Sequence, residues 1–395
     1  MTAFANRMDG VTGSAIRELF KLMGDPEIIS FGGGNPAKES FPVETVERIT
    51  ADVLKKNGVN ILQYGGTEGY LPLREAYLTH MAAPRGLSGS VDEVLITTGS
   101  MQGLDLACKI FLNPGDTMLV EAPTFLGALQ AFTIYQANKV PVPMDDEGVI
   151  IDALEELMRE KKPKLFYCIP TFQNPTGRTL GVERRKKIAE LAEKYDVMVL
   201  EDDPYCDLRY NGDPLPPIKT FDKSGHVILL SSFSKILSPG MRLGVAHGNP
   251  EIIRKMTICK QCTDTHTTLL TQAVAAQFLN EGLLPGHLKS ILPGYAEKLN
   301  TMLDAMDEFF PKGVKYQKPD GGLFVWGELP EGADVLPLLK RATSEPEYKV
   351  AYIPGEHFFV DGSGKNTFRL NFSSETVERL RIGMERLGKL FKESL

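Results

Sequence analysis

The feature that most constrains this chain is a recurring pair: a short, almost unbroken apolar run, then a segment with apolar residues at helical spacing. Val94–Thr98 (VLITT) ends in Gly99-Ser100, after which Met101, Leu104, Ala107, Cys108 and Phe111 keep a helical period. Thr117–Val120 leads into Glu121-Ala122-Pro123 and the helical pattern LQAFTIYQ. Leu165–Ile169 runs into a loop rich in proline and glycine, and Glu183–Lys194 then reads as an amphipathic helix. Val197–Leu200 ends at Glu201-Asp202-Asp203, and Val227–Leu230 ends at a cluster of serines. Strands apolar at nearly every position are buried on both faces. Their alternation with helices predicts an α/β fold with a mainly parallel sheet sandwiched by helices.

The pattern changes near residue 290. A long helical segment is followed by three strand-like runs, GGLFVWGEL, KVAYIPG and NTFRLNFS, and by the helix-period segment ETVERLRIGMERLGKLFKES. Runs of this kind predict a smaller α+β domain. The first 45 residues, with Ile28–Phe31 and the glycine run GGGNP, are expected to pack against it. The expected division is a large domain at 46–289 and a small one made of 1–45 and 290–395. A chain of 395 residues agrees with two cores, since single cores stop growing at about 250–300 residues.

Charge narrows the function. With 44 Lys+Arg against 51 Asp+Glu, the formal net charge is −7, so no nucleic-acid or anionic-membrane partner is expected. No apolar run approaches the ~18 residues of a membrane span. The start, MTAFANRMDG, has no basic stretch followed by an apolar one, so a cytoplasmic protein is expected. The five cysteines do not suggest a disulfide framework, and Cys259-x-x-Cys262 has no second ligand pair. The six histidines never fall at i, i+4, so no metal site is expected.

In open α/β sheets, ligands bind beyond the carboxyl ends of the strands. The polar residues there carry alternative readings. Gly99-Ser100, between a strand and a helix, offers amides and a hydroxyl for a phosphate, or a plain serine cap. No Walker sequence and no strand-borne GxGxxG is present, and Gly362-Ser-Gly-Lys365 reads as a surface turn. Lys235 could be a solvated surface charge. It also follows a buried strand, is flanked by hydroxyls, and precedes Arg242 by seven residues, the setting of a lysine that forms a Schiff base. Ser232, Ser234 and Arg242 would supply donors for an anion. Glu201-Asp202-Asp203 suits magnesium; alternatively Asp202 protonates a pyridine nitrogen while Tyr205 bonds the ring's phenolic oxygen.

Several motifs occur together and in order: YGGTEGYLPLR at 64–74, QNPTG at 173–177, EDDPY at 201–205, SFSK at 232–235 with Arg242, and RLNF at 369–372. Together they resemble the class I/II aminotransferases of pyridoxal-phosphate fold type I, over nearly the whole chain. SAIREL at 14–19 and ISFGGG at 29–34 look most like the α-aminoadipate/kynurenine aminotransferase subgroup. The resemblance implies a seven-stranded sheet and an enzyme that transfers an α-amino group to a 2-oxo acid, 2-oxoglutarate by expectation, in a ping-pong reaction.

The resemblance also implies roles residue by residue. Lys235 carries the cofactor and shuttles the substrate proton, Asp202 pairs the pyridine nitrogen, and Asn174 and Tyr205 bond the phenolic oxygen. Phe125 stacks on the ring. Ser100, the Met101 amide, Ser232, Ser234 and Arg242 hold the phosphate. Tyr64 reaches the phosphate of a neighbouring subunit, which implies a homodimer with shared active sites. Arg369 and Asn174 clamp the substrate α-carboxylate, Gly34 leaves room beside the backbone, and Arg17 meets the distal carboxylate of an acidic substrate. The Ala122-Pro123 and Asn174-Pro175 bonds are expected to be cis. Asn35 departs from the pattern, because the α-aminoadipate relatives tend to have an apolar residue there. Two other classes share the cofactor: a β-lyase or decarboxylase, and a cofactor-binding transcriptional regulator. The regulator needs a DNA-binding module ahead of Ser14, for which this acidic chain leaves no room.

Overall fold

The computed structural model describes residues 4–8, 11 and 27–395; Arg17 and the rest of the SAIREL segment lie outside the described residues. A short first strand, β1 (Ile29–Ser30), belongs to a separate pairing. The large sheet consists of β2 (Val94–Thr97), β3 (Thr117–Ala122), β4 (Asn138–Asp145), β5 (Gly148–Val149), β6 (Leu165–Cys168), β7 (Met198–Asp203), β8 (Val227–Ser232) and β9 (Gly244–His247). Their spatial order is β2-β9-β8-β7-β6-β3-β4-β5. Strands β8, β7, β6, β3 and β4 are parallel neighbours, and β9 runs against both β8 and β2. Two-residue β5, antiparallel to β4, makes this an eight-stranded sheet where seven strands were expected; it is too short to show an apolar run. β4 was hidden for another reason. Its sequence, NKVPVPMD, contains two prolines, tolerated because β5 covers only Met144 and Asp145 and leaves the rest of that side open.

Alternate residues of each central strand feed opposite faces. Met118 and Val120, Leu165 and Tyr167, and Ile228 and Leu230 join one apolar cluster with helices Ser100–Phe111, Leu126–Ile134 and Pro250–Gln261. Leu119, Phe166, Cys168 and Val227 join another, with helices Ile151–Lys161 and Val182–Tyr195. Both faces are covered, as unbroken apolar strands require.

Beyond the large sheet, β10 (Lys315–Tyr316), β11 (Phe324–Glu328), β13 (Ile353–Pro354) and β14 (Thr367–Asn371) form an antiparallel sheet, ordered β10-β11-β14-β13. β12 (Val350–Ala351) pairs in parallel with β1. Ile28, Ile29 and Phe31 thereby enter an apolar cluster that otherwise spans residues 299–391. The run KVAYIPG, read as one strand, is divided between β12 and β13. Among the described residues, no helix is long and apolar enough to cross a membrane.

Candidate active site

Strands β2, β3, β6, β7 and β8 point the same way, so their carboxyl ends open on one edge of the sheet. A cavity of about 410 Å³ lies there. Its wall includes Ser100, Met101, Phe125, Asn174, Asp202, Tyr205, Ser232, Ser234, Lys235 and Arg242 from the strand ends, with Gly34 and Arg369 from the far parts of the chain. Both Ala122-Pro123 and Asn174-Pro175, in the loops after β3 and β6, are cis.

Asp202 is buried, and its Oδ2 accepts a hydrogen bond from the Tyr167 hydroxyl at 2.9 Å. Its Oδ1 is buried with no partner. Burial pushes this carboxyl up to about 7, against the lowering effect of Tyr167. Its neighbours face the other way, as a strand dictates. Glu201 accepts from the Ile218 and Lys219 amides at 2.7 and 2.9 Å, while Asp203 lies 3.8 Å from Arg85. The three carboxylates therefore do not converge, and the magnesium reading of this cluster is abandoned.

Lys235 stands in the turn after β8, and its Nζ donates to the Gly34 carbonyl at 2.6 Å. Burial, with the Arg369 and Arg242 charges, lowers its amine to about 8. Arg369, on β14, is buried and donates to Asn174 Oδ1 at 2.9 Å and to the Gly32 and Gly33 carbonyls at 2.7 and 3.1 Å. Its guanidinium lies 4.2 Å from the Phe324 ring centroid, and its Nε is buried without a partner. Burial lowers it only to about 10, so it stays charged at neutral pH. Among the described residues no carboxylate forms an ion pair with it. Tyr205 is buried edge-on to Phe324.

At the other end of the cavity, the helix Ser100–Phe111 begins after Gly99, which has φ 78° and offers its first amides no side-chain cap. A side chain at Gly99 would collide with the Arg242 guanidinium, and one at Gly244 would stand 2.7 Å from the Ser100 nitrogen. Glycine at both positions lets amides and guanidinium close on one point. The Ser232 hydroxyl accepts from the Ser234 amide at 3.1 Å. Among the described residues of the cavity wall, Lys235, Arg242 and Arg369 face a single carboxylate, Asp202, so the site favours anionic ligands.

These features fit pyridoxal phosphate. The orphaned Asp202 Oδ1 suits a cationic N–H, the uncapped amides and Arg242 suit a phosphate, and Phe125 offers an aromatic face on the same wall. One expected residue, Tyr64, is not among the residues lining the cavity. Tyr64 is exposed, its ring edge-on to His266 at 5.9 Å, and Arg17 is not among the described residues. Other residues were missed. Tyr167 reads as core because it sits inside an apolar strand; Phe324 and Gln130 also line the cavity without any motif to mark them.

The profile of the family described as aminotransferase class I and II matches residues 26–387. An aromatic-amino-acid aminotransferase of Thermococcus litoralis is 45% identical, covering 99% of this chain and 94% of the relative. A 2-aminoadipate transaminase of Thermus thermophilus is 41% identical over 99% of this chain and 96% of its own length. The solved kynurenine aminotransferase of Pyrococcus horikoshii is 44% identical and superposes with a TM-score of 0.95, over 99% of this chain and 97% of that one.

Proposed function

Since the chain belongs to the class I and II aminotransferases, enzymes that transfer amino groups with pyridoxal phosphate, we propose that 2-oxoglutarate is its acceptor and that it accepts both acidic and aromatic donors. The observation that carries this reading is one cavity holding three cations against one half-orphaned carboxylate. Such a site suits a phosphate at one end and a carboxylate at the other. The names of the relatives, aromatic-amino-acid, 2-aminoadipate and kynurenine aminotransferases, support a broad choice of donors.

When bound, pyridoxal phosphate supplies an electron sink that acidifies the Cα–H of an amino acid. The chain's own groups do the rest. Asp202 Oδ1 holds a proton on the ring nitrogen. Asn174 and Tyr205 orient the phenolic oxygen, and Phe125 supports the ring face. The Ser100 and Met101 amides, Ser232, Ser234 and Arg242 take the phosphate. Arg369 binds the substrate α-carboxylate beside Asn174, and the absence of a side chain at Gly34 keeps space next to it. Lys235 Nζ, with its lowered affinity for protons, would take the proton from the substrate Cα and hold it for redelivery.

The same proposal includes a cytoplasmic homodimer in which Tyr64 completes the phosphate site of the other subunit. Exposed Val59, Leu62 and Tyr64, all more than two-thirds accessible in the single chain, support a covered surface there. It also includes the division into 46–289 and 1–45 with 290–395, supported by the separate apolar cluster around Phe31. A panel of amino acids with 2-oxoglutarate, read as glutamate formed, tests the reading. Transfer from both glutamate-like and aromatic donors is expected; ammonia or carbon dioxide released without glutamate would replace it with a lyase or decarboxylase.

A further inference from the structure

Behind the phosphate end of the cavity lies a buried cation that none of the steps above uses. Lys260, on the helix Pro250–Gln261, has no solvent exposure. Its amine has three N–H groups, and three acceptors surround it: Gln102 Oε1 at 2.7 Å and the two Asp264 oxygens at 2.8 Å each. Gln102 Oε1 also accepts the Thr98 amide at 2.8 Å, and Gln102 Nε2 donates to Asp264 Oδ2 at 2.8 Å. The Thr98 hydroxyl donates to the same Asp264 oxygen at 2.9 Å and lies 3.0 Å from the Thr267 hydroxyl. The Thr98 carbonyl, in turn, faces Arg242 Nη2 at 3.4 Å.

Both partners of Lys260, Gln102 and Asp264, bond Thr98, the residue before the Gly99-Ser100 turn. Lys260 is buried while Asp264 reaches solvent, and an ion pair of that kind contributes little to stability, so its worth lies in geometry. We propose that Lys260 is a positioning residue for phosphate binding: through Gln102 and Asp264 it fixes Thr98, and with it the turn and the guanidinium that cradle the phosphate. Lys260 has a second effect on the same point. It neutralises Asp264, whose bare charge would otherwise stand beside a site for a dianion. This inference rests on reading Ser100 and Arg242 as the phosphate cradle.

The test uses the full-length enzyme, stripped of cofactor and titrated with pyridoxal phosphate or with pyridoxal, which lacks the phosphate. In Lys260→Met, the dissociation constant for pyridoxal phosphate should rise about tenfold or more, while that for pyridoxal moves less than about twofold. Turnover at saturating cofactor should stay near wild type. Gln102→Leu, which removes the bond to the Thr98 amide without changing any charge, should show the same selective loss, which keeps the test open if Lys260→Met does not fold. Equal loss for both aldehydes, or unchanged affinity for pyridoxal phosphate, overturns the proposal. Arg242→Gln separates the two readings. If it too leaves phosphate affinity unchanged, the cradle itself is misassigned; if it alone weakens binding, only the role of Lys260 falls.

Discussion

Two regions a few residues apart treat a buried cation in opposite ways. Behind the cradle, Lys260 and Asp264 are matched, and every N–H of the amine has an acceptor. In the cavity, among the described residues, Asp202 Oδ1 and Arg369 Nε have no partner and Arg369 has no carboxylate. Folded chains rarely leave such demand unmet without a ligand to meet it. The matched region holds shape, whereas the unmatched one waits for a cofactor and a substrate.

The sharpest way to break this contrast is to remove the unmatched groups one at a time. Lys235→Ala should lower transamination about 10⁴-fold, since both cofactor attachment and proton transfer are lost. Borohydride should fix the cofactor to Lys235 in the wild type; labelling at another lysine ends the assignment. Asp202→Asn comes next. The amide cannot hold a charged ring nitrogen, so turnover should fall about 10²- to 10³-fold with the fold intact by circular dichroism. Wild-type turnover there would mean that another acid serves the ring. Arg369→Gln should raise KM for donor and acceptor alike, about tenfold to a hundredfold, because a charge-assisted bond to carboxylate is lost. A change confined to one of them would show that Arg369 reads the side chain instead.

How much of this was legible depended on where each residue sits. Lys235, Asp202, Asn174 and Ser100 stand where an apolar strand gives way to polar residues, so the run marks both strand and site. Arg369 and the glycine run are different. They meet across 337 positions of sequence, through the Gly32 carbonyl, and only the resemblance joined them in advance. Tyr167 looked like core because the rest of its strand is core. Lys260, in the helical stretch ICKQC, looks like any surface lysine, and Asp264 four residues on is the ordinary partner of an exposed pair. Its complete burial follows from the packing of Pro250–Gln261 against Ser100–Phe111, a long-range contact no local pattern encodes.

Arg17 offers a smaller effect that sharpens substrate choice within the unmatched region. If it meets a distal carboxylate, Arg17→Ala should raise KM for glutamate and 2-oxoglutarate about tenfold and hardly alter aromatic donors. Equal losses for all donors would assign it a structural role instead. The steady-state constants for glutamate and one aromatic donor decide between these outcomes.

The smallest effect is a slope in stability with pH, and here the two regions should separate cleanly. Burial raises Asp202 to about 7, Glu121 to about 8 and Glu201 to about 7, all above the carboxyl range of an unfolded chain. A folded chain that keeps protons the unfolded chain has released has its full stability below the unfolded carboxyl values near 4, loses it as pH climbs from there to the folded values, and loses no more above them. Groups of opposite sign act elsewhere. His247, lowered to about 4, adds stability as pH rises only up to its unfolded value near 6.5, and Lys235, lowered to about 8, adds it only above 8. Between about pH 5 and 7 three carboxyls outweigh one imidazole, so the cofactor-free enzyme should lose a few degrees of melting temperature. Asp202→Asn should flatten part of that slope. Asp264→Asn should leave it unchanged, because Lys260, Gln102 and Thr98 overcome the effect of burial and keep Asp264 below its ordinary value, outside this window. A slope that Asp264→Asn alters and Asp202→Asn does not would reverse which of the two regions carries the unmet charge.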